Sequence, residues 1–155
     1  TTGWGDNVLA RLDRDVFRIP NVSHLIVLIG INDIGLGDAP LTKIEHSASA
    51  EQLIAGYRQI IERAHLHGIK VIGGTLMPFK GAFVYTADKE QERQTVNAWI
   101  RSAKAFDAVI DFDEITRDPA DPTKMNPAFD SGDHLHPSDA GYQAIGEAID
   151  LSLFH

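Results

Sequence analysis

The sequence contains no cysteine, which excludes disulfide bonds and metal sites built from thiolate ligands. It also has no apolar run near the ~20 residues that a membrane-spanning helix needs. Basic residues are few, because 14 Lys and Arg stand against 22 Asp and Glu and give a formal net charge of −8. Such an acidic chain is poorly suited to bind the phosphate backbone of a nucleic acid. The first residue is Thr1 rather than Met, so cytoplasmic and secreted locations both stay open.

Short apolar runs alternate along the chain with segments of helical periodicity. The runs at 24–30, 70–76 and 108–112 are typical of strands buried on both faces of a parallel sheet. Helices are expected at 6–18, 49–68, 88–105 and 138–153, a loop at 31–48, and a solvated charged face at 88–93. The connections are too long for hairpins. We therefore predict one domain over residues 1–155, folded as a three-layer α/β/α sandwich around a parallel sheet.

One polar motif follows the most apolar predicted strand directly. It reads Gly30-Ile31-Asn32-Asp33, and in parallel α/β sheets functional groups collect at such strand ends. The side-chain amide of Asn32 could donate a hydrogen bond to an oxyanion without carrying charge. The same residues could equally form an Asn-Asp turn that only caps a loop.

A second motif, Asp133-His134-Leu135-His136-Pro137, precedes the last predicted helix. The carboxylate of Asp133 could reach Nδ1 of His136 and leave Nε2 able to accept a proton from a hydroxyl. A polar turn before a helix would explain the same residues. His134 and His136 could also bind zinc together with Asp133 and Asp139, but the Asp-x-x-His explanation is simpler, and we predict no metal.

In combination and in this order, the two motifs resemble those of the SGNH hydrolases, the GDSL-type lipases and esterases. The resemblance implies a flavodoxin-like sheet and a serine esterase that acts on carboxylic esters, including acetyl groups on sugars, without a cofactor. It makes Asn32 an oxyanion donor, His136 the general base and then acid, and Asp133 the carboxylate that orients His136. A small ester is then the expected ligand.

The Gly-Asp-Ser block that carries the family's nucleophile does not occur in this sequence. Ser131 and Ser138, on either side of His136, are better explained as a turn residue and an N-cap, so the nucleophile stays unassigned. Gly5 is the candidate for the oxyanion glycine. The chain is expected to be the C-terminal portion of the family fold, with weak or no activity alone. The alternatives are an inactive remnant, an interaction module, or one half of a nicked or split esterase.

The missing N-terminal block has a consequence for assembly. In the family's strand order it would cover the 24–30 strand, which is apolar on both faces and carries no Pro or Lys. An exposed edge of this kind invites pairing with another strand. We expect a symmetric homodimer through residues 24–30, or a lost N-terminal segment as the partner.

Overall fold

The computed structural model describes residues 6–38 and 45–155, and it contains a three-stranded parallel sheet. Strands β1 (His24–Val27), β2 (Lys70–Gly74) and β3 (Ala108–Ile110) pair in the order β1-β2-β3. The helices are α1 (Val8–Leu12), which continues as a π-helical turn (Asp13–Phe17), α2 (Ile31–Gly35), α3 (Ala50–Leu66), α4 (Ala87–Ser102), α5 (Phe112–Thr116) and α6 (Asp139–Glu147), followed by a 3₁₀ turn (Leu151–Phe154). The predicted α/β class with a parallel sheet is confirmed.

The sheet is covered on both faces, because neighbouring residues of β2 enter different cores. Val71 and Ile72 are both buried and point to opposite sides of the sheet, as successive strand residues do. Val71 belongs to a cluster with Ile60, Ile61 and Ala64 of α3 and with Val96 and Ile100 of α4. Ile72 packs instead with Ile110 and Phe112, and with Ile145 and Ile149 from the last helical region. Helices therefore form one layer on each side of the sheet.

Helix α3 begins and ends where local chemistry predicts. The hydroxyl of Ser49 accepts the Gln52 N–H at 3.3 Å, and the Gln52 side chain accepts the Ser49 N–H at 3.0 Å. This reciprocal capping box satisfies amides that have no partner within the helix. At the other end, Gly68 adopts φ +71, a left-handed conformation that ends helices at low cost. Both predicted boundaries are confirmed.

Part of the predicted loop at 31–48 is wrong, since Ile31–Gly35 forms helix α2. Gly30, with φ +128, turns the chain sharply at the end of β1. One helical turn then closes, with Ile34 N–H donating to Gly30 O at 3.1 Å. The strand also ends earlier than expected, at Val27 rather than at residue 30.

The predicted solvated face at 88–93 is also wrong at two positions, Glu90 and Arg93. Arg93 has no exposed surface, and Glu90 is only 7% exposed. The Arg93 guanidinium meets Glu90 at 2.7 Å and Asp113 at 2.7 Å. Because each buried charge has a partner of opposite sign, the core tolerates them.

Strand β1 forms one edge of the sheet in the part of the chain that the structure describes. There its outer side has no paired strand, and Ile26 and Leu28 are each 40% exposed. A groove of about 210 Å³ runs between β1 and α1, with Arg11 and Asp15 as its only charged lining residues. No helix within residues 6–38 and 45–155 is long and apolar enough to cross a bilayer.

Candidate active site

A small pocket opens where β1 and β2 reach their carboxyl ends. Its volume is about 160 Å³, and its lining is mostly apolar: Leu28, Ile29, Ile31, Asn32, Leu76, Met77, Leu135, His136, Pro137 and Tyr142. Asn32 and His136 are distant in sequence, yet they line this one pocket. The carboxyl edge of a parallel sheet is where such convergence is expected.

His136 is held by a carboxylate three residues before it. Asp133 Oδ2 accepts a hydrogen bond from His136 Nδ1 at 2.6 Å, and Asp133 Oδ1 accepts the His136 N–H at 2.8 Å. The hydrogen bonds from the ring and the backbone of His136 hold the pKa of Asp133 well below its usual range. An ionised carboxylate can only accept, so Nδ1 carries a proton and donates a hydrogen bond to Asp133. Nε2 has no hydrogen-bond partner among the residues described.

Asn32 lies in the first turn of α2, beside the pocket. Its side chain is exposed, and within 6–38 and 45–155 its amide makes no hydrogen bond to another residue. Both N–H groups are therefore available to a ligand. The catalytic roles of Asn32, Asp133 and His136 remain predictions.

Helix α2 is fixed in place by groups that the sequence patterns did not reveal. The ammonium of Lys89 donates to Gly35 O at 2.7 Å and to Gly37 O at 2.9 Å, at the carboxyl end of α2. A cation there also interacts favourably with the helix dipole. The hydroxyl of Tyr57 donates to Ile29 O, just before the turn at Gly30.

Leu76, which also lines the pocket, is held at its backbone by hydrogen bonds to side chains of α4. Asn97 accepts the Leu76 N–H at 2.7 Å and donates to Leu76 O at 2.8 Å. Arg93 Nη1 donates to the same carbonyl at 2.6 Å. These contacts join a strand end to α4 across many residues, so no short sequence motif reports them.

No serine hydroxyl reaches His136 in the described part of the chain. Ser131 Oγ donates to Asp133 Oδ1 at 3.0 Å, and Ser138 Oγ caps α6 by accepting the Gly141 N–H at 3.3 Å. The other serine hydroxyls with a hydrogen bond in the described residues lie elsewhere: those of Ser23, Ser47, Ser49 and Ser102. The nucleophile stays unassigned, and the oxyanion candidate Gly5 lies outside the described residues.

The alternative of a zinc site at His134 and His136 has no set of ligands among the described residues. His134 Nδ1 is paired with Asp130 Oδ2 at 2.5 Å, whereas His136 is paired with Asp133. No group of three or more His, Asp or Glu side chains within residues 6–38 and 45–155 could hold an ion. Each of the two histidines in this segment is thus paired with its own aspartate.

Comparisons with known proteins point to one family. The family model described as GDSL-like Lipase/Acylhydrolase matches residues 1–144. The fold is similar to that of a GDSL-like lipase from Bacteroides thetaiotaomicron, with a TM-score of 0.73, 19% identity and coverage of 94% of this chain and 68% of that one. An acetylxylan esterase from Geobacillus stearothermophilus gives a TM-score of 0.60, 21% identity and coverage of 91% and 63%. Among curated protein sequences none matches significantly.

Proposed function

This chain belongs to the GDSL-like lipase/acylhydrolase family, and on that premise we propose that it supplies the base and oxyanion donor of a carboxylic-ester hydrolase site. One observation carries the proposal: His136, oriented by Asp133, shares a pocket with the unpartnered amide of Asn32. A histidine–carboxylate pair and an amide donor beside one pocket are two of the parts that acyl transfer uses, the third being the nucleophile.

Each of the three residues has a distinct chemical task in this proposal. His136 Nε2 accepts the proton of a hydroxyl as its oxygen attacks the ester carbonyl carbon, and Asp133 stabilises the imidazolium that forms. Asn32 donates to the carbonyl oxygen as it becomes an oxyanion. When the carbon–oxygen ester bond breaks, His136 returns the proton to the leaving alcohol. Where the attacking hydroxyl belongs to a side chain, water then hydrolyses the resulting acyl ester by the same steps; where it belongs to water, the acid is released directly.

The shape of the pocket favours acetyl or other short acyl groups. Its volume is about 160 Å³, and the apolar side chains of Leu76, Met77 and Leu135 line it. A short hydrocarbon chain gains from burial in a pocket of this size, whereas a long one extends beyond these side chains. The similarity of fold to an acetylxylan esterase is in keeping with an acetyl substrate.

The acyl preference is tested with p-nitrophenyl acetate, butyrate and octanoate. We expect the acetate to react fastest and Met77→Ala, which enlarges the pocket, to shift the preference toward butyrate. Leu66→Ala is the control, because Leu66 is 82% exposed and lies on α3 away from the pocket. Rates should be low, since without its nucleophile a serine hydrolase keeps only a ~10³–10⁴-fold residual acceleration. Equal rates for all three esters in both variants would contradict the pocket assignment.

The second candidate function, an interaction module, rests on the edge of the sheet at β1. We propose that a second copy of the chain pairs with this edge. Ile26 and Leu28 are partly exposed there, and the adjoining groove carries one Arg and one Asp, so it is locally neutral. Two copies of a chain with net charge −8 repel each other least through such a surface. A two-fold axis allows the strand to pair antiparallel with its own copy.

Light scattering at micromolar concentration tests this assembly. We expect twice the monomer mass of 17.0 kDa, and we expect Ile26→Lys to shift the equilibrium toward monomer. Leu66→Lys places the same charge on an exposed apolar residue of α3 and should leave the dimer intact. A single 17.0 kDa species would refute the dimer. A larger intact mass per chain, or a co-purified peptide, would instead identify a further segment as the occupant of the edge.

A further inference from the structure

The segment that holds His136 contains a second Asp–His pair of the same design. Asp130 Oδ2 accepts His134 Nδ1 at 2.5 Å, and Asp130 Oδ1 accepts the N–H groups of Gly132 at 2.8 Å and His134 at 3.0 Å. Asp133 repeats this pattern with Leu135 and His136. Although burial opposes the effect, the Gly132 amide and the His134 ring hold the pKa of Asp130 below its usual value.

The backbone of His134 is left-handed, which is unusual for a residue with a side chain. Its φ is +62, a conformation that glycine adopts at little cost and that other residues adopt rarely. A glycine would adopt this φ without strain, as Gly132 does two residues earlier at φ +100. An unfavourable backbone conformation that is kept beside a candidate active site suggests that the side chain has a task there.

The ring of His134 is half exposed and contacts Asp130 on one side and the loop that follows β2 on another. Gly81 lies directly against it, since a Cβ atom at Gly81 would stand 2.9 Å from the ring atoms Cγ and Cδ2. The next residue, Leu135, packs against the cluster around Phe79. His134 and Leu135 together therefore join the His136 segment to the loop after β2.

The direction of the His134 backbone also controls what Asp133 can reach. The N–H groups that Asp133 Oδ1 accepts belong to Leu135 and His136, the two residues that follow His134. Without the hydrogen bond between the His134 ring and Asp130, φ of His134 is free to leave the left-handed region. The N–H groups of Leu135 and His136 would then turn away from Asp133. The carboxylate would then no longer be aimed at His136 Nδ1.

We infer that His134, paired with Asp130, is a positioning residue for the Asp133–His136 pair. It acts through the backbone and does not itself touch the substrate. This inference rests on the proposed role of His136 as the base. It predicts that removing the ring of His134 loosens the hydrogen bond between Asp133 and His136 while the fold remains.

Three substitutions separate the ring from the backbone conformation. His134→Gly removes both the ring and the steric penalty of left-handed φ, His134→Ala removes the ring and keeps that penalty, and His134→Asn tolerates left-handed φ and keeps a donor for Asp130; in the first two, φ is no longer held by the bond to Asp130. The primary measurement is the downfield proton resonance of His136 Nδ1, observed by NMR in the folded chain. We expect this resonance to be lost by exchange in the Gly and Ala variants and kept in the Asn variant.

Ester hydrolysis provides the second measurement. The Gly and Ala variants should lose up to about a hundredfold in kcat with little change in KM, because a small misplacement of a catalytic group has effects of that size. His65→Asn is the matched control, since His65 is paired with Asp107 at 2.8 Å near the amino-terminal end of β2. It should change neither measurement.

The variant His134→Gly decides the outcome, because it folds without backbone strain even if His134→Ala does not. A His136 Nδ1 resonance and a kcat unchanged in His134→Gly would overturn the inference. Failure of the proposed function would look different: hydrolysis would then be insensitive to His136→Ala, whatever the His134 variants did to the resonance.

Discussion

Replacement of Arg93 by Met tests whether the buried ion cluster supports the wall of the candidate active site. The guanidinium is fully buried and makes three kinds of contact: with Glu90 at 2.7 Å, with Asp113 at 2.7 Å and with Leu76 O at 2.6 Å. Methionine fills much of the volume and supplies no hydrogen bond. The substitution therefore isolates the charge and its bonds from packing.

The contacts that remain set the expected magnitude. Asp113 keeps Arg101 at 2.6 Å, and Leu76 O keeps the Asn97 amide at 2.8 Å. The main loss falls on Glu90, whose carboxylate would keep the Gln94 amide as its one side-chain donor within residues 6–38 and 45–155. Removing one partner of a buried pair costs about 3–5 kcal/mol, and the surviving contacts place this case near the lower end, at about 3 kcal/mol.

Urea unfolding at neutral pH measures the effect as a change in the free energy of unfolding. Arg117→Met is the control, because Arg117 is 35% exposed and lies 3.8 Å from Asp113. It should cost less than about 1 kcal/mol, as partly exposed ion pairs do. If Arg93→Met costs no more than Arg117→Met, the reasoning about the cluster is wrong.

Three further predictions concern the site and the sheet. Asp133→Asn should lower the urea midpoint at pH 7. The pKa of Asp133 is depressed in the folded chain, so its ionised carboxylate stabilises the fold fully above the usual pKa of about 3.9 and progressively less below it. The difference in urea midpoint between the unaltered chain and Asp133→Asn should therefore be smaller at pH 3 than at pH 7. The same difference at both pH values would contradict this prediction. Asn32→Asp should lower kcat by about 10²–10³-fold without changing the melting temperature, and an unaltered rate would remove Asn32 from the site. Gly74→Ala should cost about 1–3 kcal/mol in urea unfolding, because its Cβ would meet Phe112 at 2.6 Å, whereas Gly56→Ala has open space and should not destabilise.

Features set by neighbouring residues could be predicted from the sequence. The capping box of Ser49 and the helix-ending turn at Gly68 depend on residues within one turn of each other. The contact between Asp133 and His136 spans three residues, so the motif itself specifies it. The apolar runs located all three strands, since burial on both faces requires continuous apolar sequence.

Features that depend on distant contacts could not be predicted in this way. Helix α2 is a single turn, too short to show helical periodicity, and Gly30 and Lys89 hold it from outside. Arg93 looks like a surface residue in sequence because its carbonyl partner Leu76 lies 17 residues away and Asp113 lies 20 residues away. Burial of a charge depends on such partners, and a local pattern does not contain them.

The central claim is that ester hydrolysis by this chain passes through His136. The most direct measurement compares the hydrolysis of p-nitrophenyl acetate by the unaltered chain, by His136→Ala and by the control His65→Ala. His65 is also paired with an aspartate, at 2.8 Å, but away from the pocket. We expect a slow rate that His136→Ala abolishes and His65→Ala leaves intact. Equal rates for the unaltered chain and His136→Ala would contradict it.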